Sequence, residues 1–520
     1  MSDSTPIVWL DGRQASAQPA LRLAASDNVA VALRTLKPGE TVSIDKVSVQ
    51  VSERVMKGHK IALCDLTSGS RVVKYSQLIG LASQNIAAGE HVHTHNLAFT
   101  SNDATGTATD STPRAPVDCT DSFMGYRRSD GRAGTRNFIA VVSSVNCSAT
   151  VAHRIADSFN AEVLNEYDNI DGVAAFTHGT GCGMDAEGEG FANLQRVIAG
   201  FATHPNVGGV LIVGLGCETS QIAGTIESHK LASGPLLRTM NIQTTGGHVK
   251  TIARGVELIN EMLPEVNACA RSECPASDLS LALQCGGSDA WSGITANPAL
   301  GYAADLLIKQ GGTAVLAETP EIYGAEHLLI DRAVTADVAE QLMQRIHWWQ
   351  DYVARNNGSL DNNPSPGNKL GGLTTILEKS LGAVAKGGST ALSGVFRYAE
   401  QVSCRGFVFM DSPGYDPASV TGQIASGCNL VAFTTGRGST FGSKPAPCMK
   451  IATNTDMYRK LQDDMDINAG TIVSDGETVA AVGERIYHAL LAMASGKPTL
   501  SETHGLGDNE FVPWQIGATM

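Results

Sequence analysis

Residues 284–298 place a thiol, hydroxyls, a carboxylate and an amide in one glycine-rich segment. Its polar members include Cys285, Ser288, Asp289 and Asn297, and the first two flank the pair Gly286 and Gly287. An apolar run before the segment predicts a buried strand, and the residues after it predict a helix. Polar turns that follow buried strands commonly bind ligands in α/β proteins, and adjacent glycines let backbone N–H groups approach an anion. We expect Asp289 to act in catalysis and Ser288 and Asn297 to bind substrate. A plain strand-to-helix connection is the alternative.

Three histidines alternate with other residues in the segment 89–96, at His91, His93 and His95. On a strand, residues two apart point to the same face at a spacing of about 6–7 Å. Two imidazoles on one face can share a divalent ion with an oxygen ligand from another part of the chain. We expect His93 and His95 to bind a metal, and a solvated edge strand is the alternative.

Four cysteines follow four predicted strands, at Cys147, Cys182, Cys217 and Cys285. Strands that alternate with helices predict a parallel sheet, and its crossover rule brings the strand carboxyl ends to one edge. The helix that follows each turn stabilises a thiolate near its N-terminus. The four thiols are therefore predicted to face one crevice, where they would bind a metal or an iron–sulfur cluster. Small buried side chains without a ligand are the alternative.

Arginines are concentrated in the glycine-punctuated loop 123–137, at Arg127, Arg128, Arg132 and Arg136. A further one, Arg437, lies with two glycines and hydroxyls after the predicted strand 430–434. Because arginine binds carboxylate and phosphate in a bidentate way, both loops are candidate anion sites. We expect Arg127, Arg128, Arg136 and Arg437 to hold a substrate carboxylate. For the first loop, a solvated surface is the alternative.

Two side chains are candidates for a general base. His178 follows the predicted strand 173–177, and Lys369 is the only cation in the rigid loop 363–372. Such a loop often lies over a site, and a simple connection is the alternative. Either side chain could accept a proton if a substrate carbon lies within hydrogen-bond reach. Glu318 and Glu321 also follow a predicted strand, where paired carboxylates suit metal binding, acid–base work or helix capping.

These residues must be positioned by more than one domain, because 520 residues exceed a single hydrophobic core. Residues 21–99 contain short strand-like runs and predict a small β-rich domain. Residues 100–118 are rich in Ser, Thr, Pro and Gly and predict a flexible linker. Residues 119–280 and 281–500 alternate strand and helix patterns, so we expect two α/β subdomains with mostly parallel sheet.

Composition excludes several classes of protein. The hydrophobic fraction of 42% and charged fraction of 17% are ordinary for a globular protein, and the net charge of −14 argues against nucleic-acid or anionic-membrane partners. The N-terminal residues do not resemble a signal peptide, and no apolar run is long enough to cross a bilayer. We expect a cytoplasmic protein whose partner is a small molecule. Its size is compatible with a homo-oligomer.

Taken together, the motifs resemble the altronate/galactarate dehydratase family, the sugar-acid hydro-lyases. The resemblance runs from about residue 27 to residue 496, through segments 89–96, 125–137, 214–218, 285–298, 363–372, 434–438 and 466–470. It implies an N-terminal SAF-type β-clip domain, a larger α/β catalytic region and a divalent metal, usually Fe²⁺, with Mn²⁺ or Mg²⁺ as alternatives. The histidine segment is similar to the altronate branch, whereas segments 273–277 and 465–470 are closer to the galactarate branch.

The resemblance implies dehydration of a sugar acid: loss of the C2 proton, expulsion of the C3 hydroxyl and tautomerisation to a 2-keto-3-deoxy acid. The intermediate carries charge on its carboxylate, which a metal ion and arginines would stabilise. D-altronate is the expected substrate, and galactarate is the alternative, giving a keto-deoxy-glucarate. A sulfolactate sulfo-lyase is less favoured because that group usually carries the two domain types on separate chains. A sugar-acid-binding protein and a cysteine-based redox enzyme are competing classes.

Overall fold

The computed structural model describes residues 18–101, 106 and 119–519. Nearly all of the predicted linker, residues 100–118, lies outside the described residues. The fold class expected from the sequence is confirmed: a small β-rich domain accompanies a large α/β region with parallel sheets. No described helix combines the length and the apolar character needed to cross a membrane.

The first domain consists of short antiparallel strands, as its turn-rich sequence predicts. They are β1 (Ala20–Leu21), β2 (Val29–Ala32), β3 (Thr41–Ile44), β4 (Val47–Gln50), β5 (Lys60–Ala62), β6 (Arg71–Lys74), β7 (Gln77–Ala82), β8 (His91–Val92) and β9 (Leu97–Ala98). The largest sheet has the order β1-β2-β5-β8, which brings His59, next to β5, beside His91 of β8.

A second domain is built on a four-stranded parallel sheet of order β13-β12-β14-β15. Its strands and those of a small flanking sheet are β10 (Ser122–Arg127), β11 (Ala133–Gly134), β12 (Phe138–Ser143), β13 (Gly172–Phe176), β14 (Val207–Gly214), β15 (Leu237–Asn241) and β16 (Arg271–Pro275). The helices are α1 (Asn146–Ala156), α2 (Glu189–Ala202), α3 (Ile222–Ser228), α4 (Ile242–Thr245) and α5 (His248–Asn267). The predicted strand-and-helix alternation is therefore confirmed in this part of the chain.

The third domain contains a seven-stranded sheet, parallel throughout, of order β19-β20-β18-β17-β21-β22-β23. Its strands are β17 (Ser280–Cys285), β18 (Thr313–Leu316), β19 (Leu392–Phe396), β20 (Gly406–Met410), β21 (Leu430–Thr435), β22 (Cys448–Ala452) and β23 (Ile467–Asn468). The helices are α6 (Ala296–Lys309), α7 (His327–Ile330), α8 (Ala336–Arg355), α9 (Pro366–Leu370), α10 (Ile376–Val384), α11 (Asp416–Ala425), α12 (Thr455–Lys460), α13 (Thr471–Ser474), α14 (Val479–Ala494) and α15 (Leu500–Thr503).

The chain leaves β17 toward one side of this sheet and later returns to its other side at β21. Ligands in open α/β sheets bind outside the carboxyl ends of strands at such a reversal. Here the two loops that follow these strands are joined, because the N–H groups of Gly436 and Arg437 both donate to the carbonyl of Gly287, at 3.1 and 2.9 Å. The topology therefore places the polar segment 284–298 at the expected position for a site.

The first domain is anchored on the third through a buried carboxylate. Glu378 of α10 accepts hydrogen bonds from Lys60 at 2.8 Å and from Lys74 at 2.9 Å, and all three side chains are fully or almost fully buried. Lys60 also donates to the carbonyl of Gly372 at 2.8 Å. These contacts hold the histidine-bearing strands against the third domain.

Candidate functional site

Four histidines of the first domain form a compact group, here called the imidazole cluster: His59, His91, His93 and His95. The ring centroids of neighbouring pairs lie 4.8–5.4 Å apart. The Nδ1 atom of His59 and the Nε2 atom of His91 are 2.9 Å apart. Burial and the neighbouring imidazoles lower the pKa of His91 to about 3. The ring of His91 is therefore neutral near pH 7, as a metal-binding histidine must be.

His93, which the sequence predicted as a metal ligand, uses both ring nitrogens within the protein. Its Nε2 atom lies 2.9 Å from the carbonyl oxygen of Lys369, and its Nδ1 atom accepts the N–H of Thr94 at 2.8 Å. In this arrangement His93 binds the loop of residues 363–372 through the carbonyl of Lys369.

A metal-compatible group at the cluster consists of Glu53, His91 and His95, whose ligand atoms all lie within 4.8 Å of one another. Nitrogen and carboxylate oxygen donors suit Fe²⁺ and Mn²⁺. His59 contacts His91 and reaches the carbonyl of Leu370 at 3.3 Å, so it can orient its neighbour as outer-shell partners do. The donor set thus fits the divalent metal that the sequence predicted. His95 belongs to both the predicted ligands and the observed group, whereas Glu53 and His91 occur only in the observed group.

The loop of residues 363–372, called the bridging loop, lies between the first and third domains. Its helix α9 begins at a capping box formed by Ser365 and Asn368, and Asn368 also donates to the carbonyl of Ser288 at 2.8 Å. The backbone carbonyls of Lys369 and Leu370 contact the imidazole cluster. The amine of Lys369 makes no hydrogen bond with any residue that the structure describes, so it is available to a ligand.

At its other end the bridging loop meets a buried group, called the carboxylate–lysine cluster. This cluster comprises Cys285, Glu318, Glu321, Lys379 and Lys386. Asn363 donates to Glu321 at 2.8 Å and accepts from Lys379 at 2.8 Å. Lys379 pairs with Glu321 at 2.6 Å, while Lys386 lies 2.9 Å from the thiol of Cys285 and 3.4 Å from Glu318. The bridging loop therefore contacts the imidazole cluster at one end and the carboxylate–lysine cluster at the other.

Burial and like charge shift the protonation of the carboxyl groups here. Burial, reinforced by Glu321, raises the pKa of Glu318 well above its usual value, and the same two causes raise the pKa of Asp416 to about 7. Burial alone would lower the pKa of Lys379, but attraction to Glu321 and Cys285 raises it instead. The cluster therefore combines carboxyls that can carry protons with ammonium groups that stay charged, a combination suited to acid–base chemistry.

A second metal-compatible group, formed by Cys285, Glu318 and Glu321, lies inside this cluster, with its ligand atoms within 4.8 Å of one another. The Oε1 atom of Glu318 has no hydrogen-bond partner among the described residues. The backbone of Glu318 is left-handed, with φ of 72°, a strained conformation that concentrates at functional sites. However, Lys379 and Lys386 already balance these carboxylates, so a cation fits less well here than at Glu53, His91 and His95.

The three predicted residues of segment 284–298 occupy different environments. Asp289 accepts the N–H groups of Trp291 and Ser292 at 3.0 Å, and side chains of Thr453 and Asn454 at 2.9 and 3.0 Å. Its carboxylate thus organises the turn. Asn297 is satisfied by Gly382 and Thr434. The buried hydroxyl of Ser288 has no partner among the described residues and lines a small cavity of about 10 Å³, which also touches Cys285 and Lys379.

Three of the four predicted anion-binding arginines make contacts within the protein. Arg127 pairs with Asp278 at 2.7 Å, Arg136 pairs with Glu502 at 2.6 Å, and Arg128 binds the carbonyl of Pro205 at 2.7 Å. They join the second domain's segments to one another and to the third domain. Arg437 is exposed beside Gly287, and its guanidinium makes no hydrogen bond with the described part of the chain. It is the arginine whose donors are available to a ligand.

The four predicted cysteines do not form one group. Cys285 is buried at the end of β17, whereas Cys147, Cys182 and Cys217 are exposed on the sheet of the second domain. No set of described ligand atoms within 4.8 Å of one another contains all four. His178 is buried, with Nε2 3.1 Å from the carbonyl of Ser143 and Nδ1 accepting the N–H of Thr180 at 3.2 Å. Burial lowers the pKa of His178 to about 4.

Several residues of the site were not predicted from the sequence: Glu53, His59, Lys379, Lys386 and Asp416. Lys379 and Lys386 had a usable signal, since both interrupt an apolar stretch whose helix α10 is buried throughout. A buried lysine must be paired, which points to acidic partners elsewhere in the chain. Glu53 and His59 had no such signal, because only the sheet pairing brings them to the other histidines.

The fold and the site define an α/β enzyme in which a histidine-bearing β domain covers an acid–base crevice. Comparison with known proteins identifies the family. Residues 18–100 match the altronate/galactarate dehydratase SAF domain, residues 125–267 match the D-galactarate dehydratase/altronate hydrolase second domain, and residues 276–519 match the D-galactarate/altronate dehydratase C-terminal domain. The chain belongs to the altronate/galactarate dehydratase family, whose named members are hydro-lyases.

Full-length relatives support this assignment. The chain is 35% identical to an altronate dehydratase of Bacillus subtilis (strain 168), covering 96% of this chain and 99% of the relative. It is 34% identical to a galactarate dehydratase (L-threo-forming) of Escherichia coli (strain K12), covering 92% and 94%. A (2R)-sulfolactate sulfo-lyase subunit beta of Chromohalobacter salexigens is 31% identical, covering 75% of this chain and 96% of that subunit.

Proposed function

We propose that this chain is a metal-dependent dehydratase that converts D-altronate into a 2-keto-3-deoxy sugar acid. Family membership supports the reaction class. The geometric observation that carries the proposal is the bridging loop, which contacts the imidazole cluster through Lys369 and Leu370 and the carboxylate–lysine cluster through Asn363. A substrate bound beside this loop would have metal-binding imidazoles on one side and proton-carrying groups on the other.

The residues divide into roles that the reaction requires. Glu53, His91 and His95 would hold the divalent ion, Fe²⁺ in this proposal, which supplies Lewis-acid stabilisation of the substrate carboxylate when bound. Lys369 is placed to take the C2 proton, since its amine is not engaged by the protein. Arg437 would pair with the substrate carboxylate, and the ammonium groups of Lys379 and Lys386 would stabilise the negative charge that develops.

His178 is less suitable as the base. Both of its ring nitrogens contact backbone groups of its own domain, at 3.1 and 3.2 Å. A base that is already hydrogen-bonded on both sides has no site for an incoming proton. Between the two candidates, the proposal therefore assigns the base to Lys369.

The choice of D-altronate rests on the alternating histidines, which are similar to the altronate branch. Overall identity does not separate the candidates, at 35% and 34% for two altronate dehydratases and 34% for a galactarate dehydratase. Galactarate is the second candidate because segments 273–277 and 465–470 are closer to its branch. A sulfo-lyase activity is disfavoured because this chain carries both domain types, which match separate alpha and beta subunits of the sulfolactate enzyme.

A substrate panel tests the proposal. Purified protein is incubated anaerobically with ferrous iron and with D-altronate, galactarate or sulfolactate, and formation of the 2-keto acid or sulfite is followed. Keto-acid formation from D-altronate alone is the expected result. Turnover of galactarate alone would retain the dehydratase assignment and overturn the substrate, and sulfite release would overturn the reaction.

A further inference from the structure

Three exposed thiols lie at the carboxyl edge of the second domain's parallel sheet, and the proposed dehydration does not use them. They belong to Cys147, Cys182 and Cys217, which we call the edge cysteines. Cys147 follows β12, Cys182 follows β13 and Cys217 follows β14. In the sheet order β13-β12-β14-β15 these are adjacent strands. Because neighbouring strands lie about 4.8 Å apart, the three loops leave the sheet side by side.

The three loops are also hydrogen-bonded to one another next to the cysteines. The N–H of Asn146 donates to the carbonyl of Thr180 at 2.9 Å, which joins the first loop to the second. The N–H of Ser220 donates to the carbonyl of Gly181 at 3.0 Å, which joins the second loop to the third. Each of these contacts lies within three residues of an edge cysteine. The loops that carry the thiols are therefore one connected unit.

Buried polar side chains hold the three cysteine-bearing loops together. The carboxylate of Glu218 accepts the hydroxyl of Ser144 at 2.7 Å and the N–H of Gly216 at 2.6 Å, so it ties the third loop to the first. His178 contacts the carbonyl of Ser143 and the N–H of Thr180. A polar side chain is costly to bury unless it is hydrogen-bonded, and Glu218 and His178 are both buried and hydrogen-bonded to the loops whose exposed residues are cysteines.

Glycines let the loops approach closely beside the thiols. Gly181 has φ of 101°, and a Cβ atom there would lie 2.4 Å from the carbonyl oxygen of Ser144. Gly216 has φ of 125°. The sulfur of Cys217 also accepts a hydrogen bond from Gln243 at 3.3 Å. N–H donors to sulfur of this kind are found around thiolates that bind iron–sulfur clusters.

The spacing of the edge cysteines disfavours a single ion. The described metal-compatible groups, whose ligand atoms lie within 4.8 Å of one another, do not include them. In an iron–sulfur cluster each thiolate binds a different iron atom, so the thiolates stand farther apart than around one ion. We propose that Cys147, Cys182 and Cys217 hold a [4Fe–4S] cluster. Each thiol loses its proton on binding, and one iron atom remains without a protein ligand.

The test is anaerobic reconstitution of the full-length protein with ferrous and ferric iron and sulfide in the presence of a thiol. The expected result is visible thiolate–iron absorbance and bound acid-labile sulfide, with one iron per sulfide beyond the single ion that the imidazole cluster would hold. The variants Cys147→Ser, Cys182→Ser and Cys217→Ser should each lose most of the sulfide, whereas Cys64→Ser, at another exposed cysteine, should retain it. Circular dichroism verifies that each variant is folded.

A second measurement needs no variant. The unmodified protein is treated with iodoacetamide before and after reconstitution, and labelled cysteines are located by mass spectrometry. Protection of the three edge cysteines after reconstitution, with Cys64 and Cys119 still labelled, is expected. Absence of acid-labile sulfide from the reconstituted protein, or continued labelling of the edge cysteines in protein that has bound sulfide, would overturn the cluster. Both readouts are independent of turnover, so failure of the proposed dehydration would not affect them.

Discussion

The ammonium group of Lys386 lies 2.9 Å from the sulfur of Cys285, and both side chains are buried. Cys285 ends β17, at the reversal point of the large sheet, and Lys386 lies just after α10. The contact places a permanent positive charge at the position where α/β proteins bind ligands. Burial raises the pKa of Cys285 to about 11, so the sulfur is a thiol near neutral pH. The carboxyl group of Glu318 lies 3.4 Å from the same ammonium group.

Replacing this cation should therefore affect turnover. We expect Lys386→Met to lower kcat by about 10²–10³-fold, the cost of removing one group that stabilises developing negative charge. The matched control is Lys250→Met on the exposed surface of α5. Steady-state kinetics with D-altronate, alongside circular dichroism, would measure the effect, and a folded variant with undiminished kcat would exclude Lys386 from the reaction.

Lys369 and His178 make different predictions. Lys369→Met should lower kcat by about 10²–10⁴-fold while leaving the thermal midpoint almost unchanged, because the amine makes no hydrogen bond with a described residue. His178→Gln should lower the thermal midpoint, since its ring holds two backbone groups. Kinetics and thermal melting of both variants separate the roles. The assignment of the base is wrong if the lysine variant turns over normally.

The imidazole cluster predicts a defined metal dependence. His91→Ala should reduce bound iron and activity at least tenfold, because one of three ligands is lost. His248→Ala, an exposed histidine at the start of α5, serves as the control and should retain both. Iron per chain is measured by elemental analysis after anaerobic loading. Full iron content in folded His91→Ala would place the metal elsewhere, with Cys285, Glu318 and Glu321 the next group to test.

The contact between the first and third domains should contribute strongly to stability. Glu378→Gln leaves Lys60 and Lys74 buried without a counterion, and removal of one partner from a buried ion pair costs about 3–5 kcal/mol. Glu477→Gln breaks the more exposed pair with Arg485 and should cost less than about 1 kcal/mol. Urea denaturation of both variants provides the comparison. Equal losses would show that the buried pair does not anchor the domains.

The raised pKa of Asp416 predicts how the free energy of unfolding changes with pH. Burial, followed by repulsion from Glu321, raises its pKa from 3.8 to about 7 in the folded protein. Between these values the unfolded chain ionises first and binds fewer protons, so stability falls as pH rises from about 4 to about 7. The loss is at most about 4 kcal/mol, at about 1.4 kcal/mol per pKa unit.

Urea denaturation at several pH values compares wild type with Asp416→Asn and with the exposed control Asp475→Asn. The Asp416→Asn variant should become more stable relative to wild type as pH rises through this window, while the control should follow wild type. If the free energy of unfolding varies with pH in the same way in all three proteins, the raised pKa of Asp416 is contradicted. Glu318 is present in every protein, but Asp416 is one of the charges that raise its pKa, so Asp416→Asn also brings that pKa closer to its usual value and acts in the same direction.

Regular elements of the α/β region could be predicted from hydrophobic patterns. Residues 479–494 carry apolar side chains at helical spacing, which predicts a helix, and a helix is observed at Val479–Ala494. The strand expected at 430–434 is observed as Leu430–Thr435. Both are determined by residues close in the chain: an apolar stripe at helical spacing in the first case, a short β-branched apolar run in the second.

The use of individual polar side chains could not be predicted in the same way. A guanidinium binds the protein's own carboxylates as readily as those of a substrate, and the sequence does not show that Arg136 has Glu502 beside it. His93 and His95 are likewise equivalent in the sequence. Only the packing of the bridging loop against His93 distinguishes them.

The measurement that tests the central claim most directly uses D-altronate deuterated at C2. The iron-loaded protein is incubated anaerobically with labelled and unlabelled substrate, and product is followed by NMR. The account predicts a 2-keto-3-deoxy acid, release of the deuteron to solvent and slower turnover of the labelled substrate. Product that retains the C2 deuteron, or the absence of any product from D-altronate under these conditions, would contradict it.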